Sequence, residues 1–146
     1  MADIIPQYFI LQQASKIIDF QTDEIKCILC SGSYDESALR DFQTLADVSA
    51  NEILAGNGYV TGGITVSGTS AYNDDANNRT IYKCEDLYFT TSSGNIGPTR
   101  YAVMYDPDGS DTIIYVFDFG EDKTALDGSN LVIKVDTTGF MKAYQL

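Results

Sequence analysis

The sequence has no histidine and no tryptophan among its 146 residues. Without histidine, the commonest general base, Ser–His and Cys–His activation and histidine metal ligands are all excluded. A sugar-binding platform would usually include tryptophan, so the 10 tyrosines are expected in the core and at subunit contacts. These absences predict a protein that is not an enzyme and that binds neither a metal nor a cofactor.

Basic residues are also scarce, with 9 Lys and Arg against 21 Asp and Glu and a net charge of −12. Phosphate binding is driven by Lys and Arg, so this balance argues against nucleic acid and anionic membrane as partners. It suits an acidic surface that repels other copies except at a specific interface. No stretch approaches the roughly 20 apolar residues of a membrane helix. MADIIPQYFI lacks the features of a cleaved secretion signal, so none is expected.

The chain has three cysteines, and two of them form the pattern Cys27-Ile28-Leu29-Cys30. On a strand, residues i and i+3 point to opposite faces, so these two thiols would not share a metal or redox site. The odd count predicts reduced, buried thiols that act as small hydrophobic side chains.

The clearest structural pattern is two apolar runs, Arg100–Tyr105 and Thr112–Phe119, separated by Asp106-Pro107-Asp108-Gly109-Ser110-Asp111. Pro107 presets a turn conformation and Gly109 is expected to supply a left-handed one, so the pattern predicts a β-hairpin. Both faces of each run are largely apolar, which predicts two central strands covered on both sides. The second run places Ile113, Tyr115, Phe117 and Phe119 on one face and Ile114, Val116 and Asp118 on the other.

Four further segments alternate as strands, namely Asp23–Cys30, Thr80–Phe89, Leu131–Asp136 and Phe140–Tyr144. The phase slips inside the second of them, which predicts a β-bulge at Glu85-Asp86. Four glycines are predicted to be structural, at bulges or close backbone approaches: Gly56, Gly58, Gly62 and Gly63. We therefore predict a mainly β, single-domain antiparallel sandwich or flattened barrel with a short N-terminal helix.

Two segments are predicted to contact neighbouring subunits. Residues 4–18 are expected to form an amphipathic helix with Leu11, Ala14, Ile17 and Ile18 on its buried face. This helix belongs to an N-terminal helix or arm over residues 1–20, which precedes a β-sandwich domain at residues 21–146. This helix either caps the β core or grips a neighbour. Residues 31–54 are expected to form a long loop with a helical turn near Ser37–Phe42, and Ser33–Leu54 is the second predicted contact segment. The candidate contact residues are Tyr8, Phe9, Leu11, Ile18, Leu39, Phe42 and Leu45.

Two kinds of acidic motif are candidate chemical sites. The Asp106–Asp111 turn has the acidic spacing of a calcium loop, but Ser110, Asp111 and Phe117 occupy its fifth, sixth and twelfth positions, which favours a simple turn. The adjacent carboxylates Asp74-Asp75 and Glu85-Asp86 are the pairs an enzyme would use, and on turns they are expected to be solvated charges.

The ordered set of motifs resembles a family of small virion structural proteins of tailed bacteriophages. The resemblance lies in Asp23–Leu29 with Tyr34, in Ala46–Ile53 with the glycines that follow, in Arg100–Asp106 and in Asp118-Phe119-Gly120. It covers roughly residues 20–140. Family members often carry tryptophan where this chain has Phe89 and Val135, so the core here must be filled differently.

The resemblance implies a virion component, made in the host bacterial cytoplasm, that decorates or cements the capsid or forms part of a head fibre. Its expected partners are further copies of itself, as a homo-oligomer, and virion proteins such as the major capsid protein. A tail-associated structural protein and an adhesin for host-surface glycans are the alternatives. The N-terminal region resembles the family least, and docking specificity is expected there.

Overall fold

The computed structural model describes residues 3–144. Within this range the helices are α1 (Gln7–Ala14) and α2 (Glu36–Asp41), with short 3-10 helices at Leu45–Asp47, Ser49–Asn51 and Asp75–Asn77. The strands are β1 (Lys26–Cys30), β2 (Ile64–Thr65), β3 (Ser70–Asp74), β4 (Arg79–Lys83), β5 (Leu87–Thr90), β6 (Ile96–Asp106), β7 (Thr112–Ala125), β8 (Asn130–Ile133) and β9 (Met141–Tyr144). None of the helices in this range is long and apolar enough to span a membrane.

The strands form three antiparallel sheets, in the orders β2-β1-β6-β7, β3-β4-β9 and β5-β8. The predicted hairpin is present as β6 and β7, which pair from Ile96 opposite Ala125 to Asp106 opposite Thr112, with shifts of register along the way. The mainly β, sandwich-like fold with a short N-terminal helix is therefore confirmed.

The four-stranded sheet separates two hydrophobic clusters. The smaller cluster contains Tyr101, Val103 and Tyr105 of β6, and the larger cluster contains Ala102 and Met104. This division follows the alternation of side chains along β6. The larger cluster also includes side chains from both smaller sheets. The smaller cluster is closed by Ile4 and by residues of the 31–54 segment. Burial on both faces explains why the sequence of the hairpin is apolar throughout.

The predicted alternation of β7 is wrong at its start, because a bulge lies there. Tyr105 pairs with Ile113 and Met104 pairs with Tyr115, so Ile114 is the extra residue. Ile113 consequently joins Val116 in the smaller cluster, while Ile114 joins Tyr115 in the larger one. A bulge changes which face each residue occupies, and strict period-two counting misses it.

The prediction that β7 is a central strand is also wrong, because β7 is an edge strand whose outer side is partly covered. Ile4 and Val116 exchange two backbone hydrogen bonds, of 3.0 and 2.9 Å. Farther along, Ile113 donates to the carbonyl of Gln43 and Leu45 donates to the carbonyl of Asp111. Covering an edge in this way satisfies backbone groups that would otherwise invite strand addition.

The prediction of one strand over Thr80–Phe89 with a bulge is wrong. β4 and β5 belong to different sheets, and Glu85-Asp86 lies in the connection between them. Leu87 and Phe89 nevertheless lie in the larger cluster with Tyr82. The shift in the alternation of apolar residues therefore arises because the chain passes from one sheet to another while packing against the same core. The last two predicted strands are present, as β8 and β9, in separate sheets.

Helix α1 is shorter than predicted and buries a different face. It ends at Ala14, and Lys16 adopts φ 58°, which stops the helical period. Phe9 and Gln12 point inward, whereas Leu11, Ala14 and Ile17 are exposed. Ile18 is buried, but it lies in the segment that follows the helix. Phe9 and Ile4 join residues 1–20 to the main core, so the described part of this segment is integral to the sandwich.

The 31–54 segment contains the predicted helical turn as α2, whose N-cap Asp35 accepts a hydrogen bond from the Ala38 amide. Leu39 and Val48 are fully buried under it. The segment is therefore a layer that covers one face of the four-stranded sheet.

Two of the predicted structural glycines show why no larger residue fits. A Cβ on Gly58 would lie 2.2 Å from the Thr90 carbonyl oxygen, and one on Gly63 would lie 1.8 Å from that of Cys27. Both have positive φ, as do Gly56 and Gly62. In the hairpin turn, the left-handed residues are Ser110 and Asp111, at φ 59° and 54°, so the prediction of this role for Gly109 is wrong.

Candidate assembly surfaces

The structure divides the predicted contact residues into two groups. Four of them are buried within the chain's own core and are not available to a neighbour in this fold: Phe9, Ile18, Leu39 and Phe42. Leu11 is exposed, whereas Tyr8 and Leu45 are half-buried. Sequence reasoning does not separate the two groups, because an apolar side chain in an irregular segment looks the same whether it faces the core or a partner.

Large apolar side chains are nevertheless exposed along the N-terminal segment. We call Ile5, Ile10, Leu11 and Ile17 the N-terminal apolar surface. Ile10 and Leu11 are 61% and 57% exposed. Single exposed apolar residues are ordinary, but a group of them within a short segment indicates an interaction site.

A groove of about 310 Å³ lies beside this surface and joins the two predicted contact segments. It is lined by Gln7, Tyr8 and Leu11 of α1 and by Arg40, Asp41 and Gln43. α1 therefore lies next to α2, although more than twenty residues separate them in sequence. The sequence could not predict this proximity, because it depends on how both segments cross the same sheet.

The hairpin turn carries a buried carboxyl group. Asp106 is fully buried, and its Oδ1 accepts a hydrogen bond of 2.9 Å from the Gly109 amide, while its Oδ2 has no partner within the described residues. Desolvation and the neighbouring Asp23 carboxylate raise the pKa of Asp106 from 3.8 to about 7. A protonated Asp106 can therefore donate to Asp23 at acidic pH.

Further acidic side chains surround this turn. Asp108 accepts a hydrogen bond of 3.2 Å from the Glu24 amide. Glu24, Asp108 and Asp111 are exposed, and Asp23 is half-buried. We call Asp23, Glu24, Asp108 and Asp111 the acidic end. The carboxylates give this end a negative potential that would attract basic groups.

The outer face of the β3-β4-β9 sheet combines cations with tyrosines, a feature that sequence reasoning missed. The Arg79 guanidinium lies 5.8 Å from the centroid of the Tyr144 ring, and Lys83 Nζ lies 5.8 Å from that of Tyr72. Lys142 lies on the same face, because it pairs with Ile81 opposite Tyr72. We call Arg79, Lys83, Lys142, Tyr72 and Tyr144 the basic face. Only the pairing register brings these distant residues together.

One member of each carboxylate pair considered for catalysis has a structural partner. Asp74 Oδ2 accepts from Arg79 Nε at 2.7 Å, and the side-chain hydrogen bonds from Asn77 and Arg79 lower the pKa of Asp74. Asp86 accepts from Lys134 Nζ and from the Val135 amide, both at 2.8 Å, and these bonds lower the pKa of Asp86. Both groups therefore anchor strands and turns.

The cysteine thiols occupy separate surroundings, as predicted from their spacing. Cys27 belongs to the larger cluster and Cys30 to the smaller one, on opposite faces of β1. Desolvation raises the pKa of Cys30 and that of Cys84 to about 12. Cys84 lines an open cleft of about 660 Å³ together with Glu85 and the half-exposed Tyr88.

Comparison of the chain with protein-family models, curated proteins and solved structures finds no match. The class of this protein is therefore described from its fold and its exposed surfaces. It is a mainly β, sandwich-like domain whose candidate sites are exposed surfaces of three kinds: apolar, acidic and basic-aromatic.

Proposed function

We propose that this chain is a non-enzymatic structural protein of a tailed-bacteriophage particle, in which it decorates or cements the capsid or forms part of a head fibre. The observation that carries the proposal is the N-terminal apolar surface, because four exposed aliphatic side chains within one short segment are best explained by burial against a neighbour. The phage setting comes from the resemblance of residues 20–140 to virion structural proteins.

The mechanism is mechanical. A sheet buried on both faces is stiff, since each of its side chains is held by close-packed neighbours. Such a block can transmit load between the subunits that it joins. The net charge of −12 opposes non-specific association, so that contacts form only between complementary surfaces.

The first test is location. Antibody raised against the purified chain should label the heads of particles isolated from cells that express it, and the chain should co-purify with those particles. Its absence from purified particles would refute the proposal, and label confined to tails would favour the tail-associated alternative.

The second test addresses the apolar surface. Ile10→Lys with Leu11→Lys should leave the fold intact, because both side chains are largely exposed, and should abolish incorporation into particles. Val60→Lys with Leu126→Lys is the matched control, since these side chains are 66% and 64% exposed and lie elsewhere. Unchanged incorporation of the double variant would show that another surface makes the contact.

A glycan-binding role is the second candidate, and the cleft beside Tyr88 is the observation that favours it. An exposed tyrosine ring next to Glu85 offers a stacking surface and a hydrogen-bond acceptor for sugar hydroxyls. Saturable binding to a glycan array that is lost in Tyr88→Ala would support this role over assembly alone.

A further inference from the structure

The basic face is unusual for so acidic a chain. It holds three of the nine Lys and Arg residues of the sequence. Its tyrosines are exposed, Tyr72 by 45% and Tyr144 by 58%. The cations are half-buried beside these exposed rings, so the tyrosines remain available for a further contact.

The cations of this face are not equally neutralised, because Arg79 pairs with Asp74 Oδ2 at 2.7 Å on the same face. Arg40, Lys123 and Lys134 each pair with a carboxylate close to them on the surface. Lys83, in contrast, forms no ion pair with any carboxylate in the described range and lies over Tyr72 instead. Lys142 Nζ lies 3.8 Å from Asp136 Oδ2 and donates a hydrogen bond of 3.1 Å to Thr138 Oγ1. Lys83 therefore supplies positive charge on this face that no ion pair within residues 3–144 offsets.

The chain also carries the complementary surface. The acidic end groups four carboxylates around one turn, of which Glu24, Asp108 and Asp111 are exposed. The ion pairs of the described residues do not join it to the basic face within one copy. Each surface is thus free to meet its complement on another molecule.

We propose that the basic face of one copy docks against the acidic end of a second copy. The contact joins two different surfaces, so it is heterologous and generates a ring or an open row of subunits. The proposal rests on the assembly role proposed above and names the surfaces that join like copies. The N-terminal apolar surface then remains for a different virion protein.

A second copy fits this face better than nucleic acid does. Three cations, two of which already have a carboxylate nearby, neutralise few phosphates, and the net charge of −12 repels a polyanion. A short acidic turn brings only local negative charge and leaves the tyrosines to pack against its backbone.

Charge reversal tests the contact. Wild-type protein should self-associate at low salt in sedimentation velocity and dissociate at about 0.5 M salt, where the screening length falls to a few ångströms. Lys83→Glu with Lys142→Glu should weaken association at least about tenfold. Glu24→Lys with Asp108→Lys should do the same. Lys123→Glu with Lys134→Glu is the matched control, because it changes the net charge equally outside the basic face.

Mixing gives the sharpest result. Neither reversed double variant should self-associate, but an equal mixture should, because the intact acidic end of one meets the intact basic face of the other. A mixture that stays monomeric would overturn the proposal, as would a monomeric wild type at low salt or a control that weakens association equally. Circular dichroism of each variant confirms that the fold is retained.

The two proposals fail separately. If wild-type protein is monomeric at low salt yet is incorporated into particles, the proposed docking of copies is refuted and the virion role is retained. If the protein self-associates as described but is absent from particles, the docking is retained and the virion role is refuted.

Discussion

Replacing Asp106 by asparagine tests the buried carboxyl group at the hairpin turn. The amide side chain of Asp106→Asn keeps an oxygen to accept from the Gly109 amide and places an NH₂ donor toward Asp23. The variant therefore imitates the protonated form of Asp106 at every pH. Above neutral pH, wild-type Asp106 instead carries a charge beside a second carboxylate, with its Oδ2 buried and unpartnered within the described residues.

The sign of the effect follows from proton linkage. The pKa of Asp106 is about 7 in the folded chain and near 3.8 when unfolded, so between these values the folded state binds more protons. The contribution of Asp106 to the free energy of unfolding therefore falls as pH rises from about 4 to about 7, and it is constant above that. The raised pKa corresponds to at most about 4 kcal/mol, and on the order of 2 kcal/mol is expected because half-buried Asp23 is screened by water.

The assay is urea unfolding followed by circular dichroism, since the chain has no tryptophan. Asp106→Asn and wild type should be similarly stable near pH 4, and the variant should become the more stable by on the order of 2 kcal/mol by pH 8. Asp86→Asn is the control, because the hydrogen bonds from Lys134 and Val135 lower the pKa of Asp86. Its stabilising effect is present above the unfolded pKa, so this variant should be less stable than wild type by a nearly constant amount from pH 4 to pH 8. A constant difference between Asp106→Asn and wild type across this pH range would refute the reasoning.

Three further predictions concern the core and are checked by unfolding or labelling. Leu39→Ala should lower the free energy of unfolding by about 2–5 kcal/mol, because Leu39 is fully buried, whereas Leu54→Ala, at a side chain 91% exposed, should change it little. Gly63→Ala should cost more than about 2 kcal/mol through the clash with the Cys27 carbonyl, and Gly56→Ala, with open space around it, should cost less. The three thiols should react slowly with a disulfide reagent at pH 8 and quickly in denaturant, because burial raises their pKa values. Fast reaction of the native protein, or equal costs within either matched pair, would contradict these expectations.

The regular strands of this fold could be predicted because their residues repeat with period two. The faces of β1 and β6 follow the alternation, including the separation of Cys27 from Cys30. The hairpin was predictable too, since turn residues separate two long apolar runs. In these places, local pattern and tertiary burial agree.

The errors lie where tertiary structure overrides the local pattern. The bulge at Ile114 leaves no mark in a run of apolar residues, and a change of sheet after Lys83 mimics a bulge. The buried face of helix α1 is mispredicted because its end at Ala14 depends on the left-handed Lys16, which no sequence rule for caps would single out. The surfaces proposed for assembly could be found only in part, since the basic face exists through strand pairing.

The edges of the sheets favour contacts between charged surfaces over the pairing of edge strands as the way in which copies would associate. The outer edge of β7 is occupied from Asp111 to Val116 by backbone from residues 4 and 43–45. β3 and β9, in contrast, end the three-stranded sheet without a further paired strand among residues 3–144, and they carry Asp74, Lys142 and Tyr144 on one face. Charged side chains on an edge oppose uncontrolled pairing with another strand. The same residues belong to or border the basic face. The charged side chains would therefore both limit aggregation through the sheet edges and allow an acidic partner to bind.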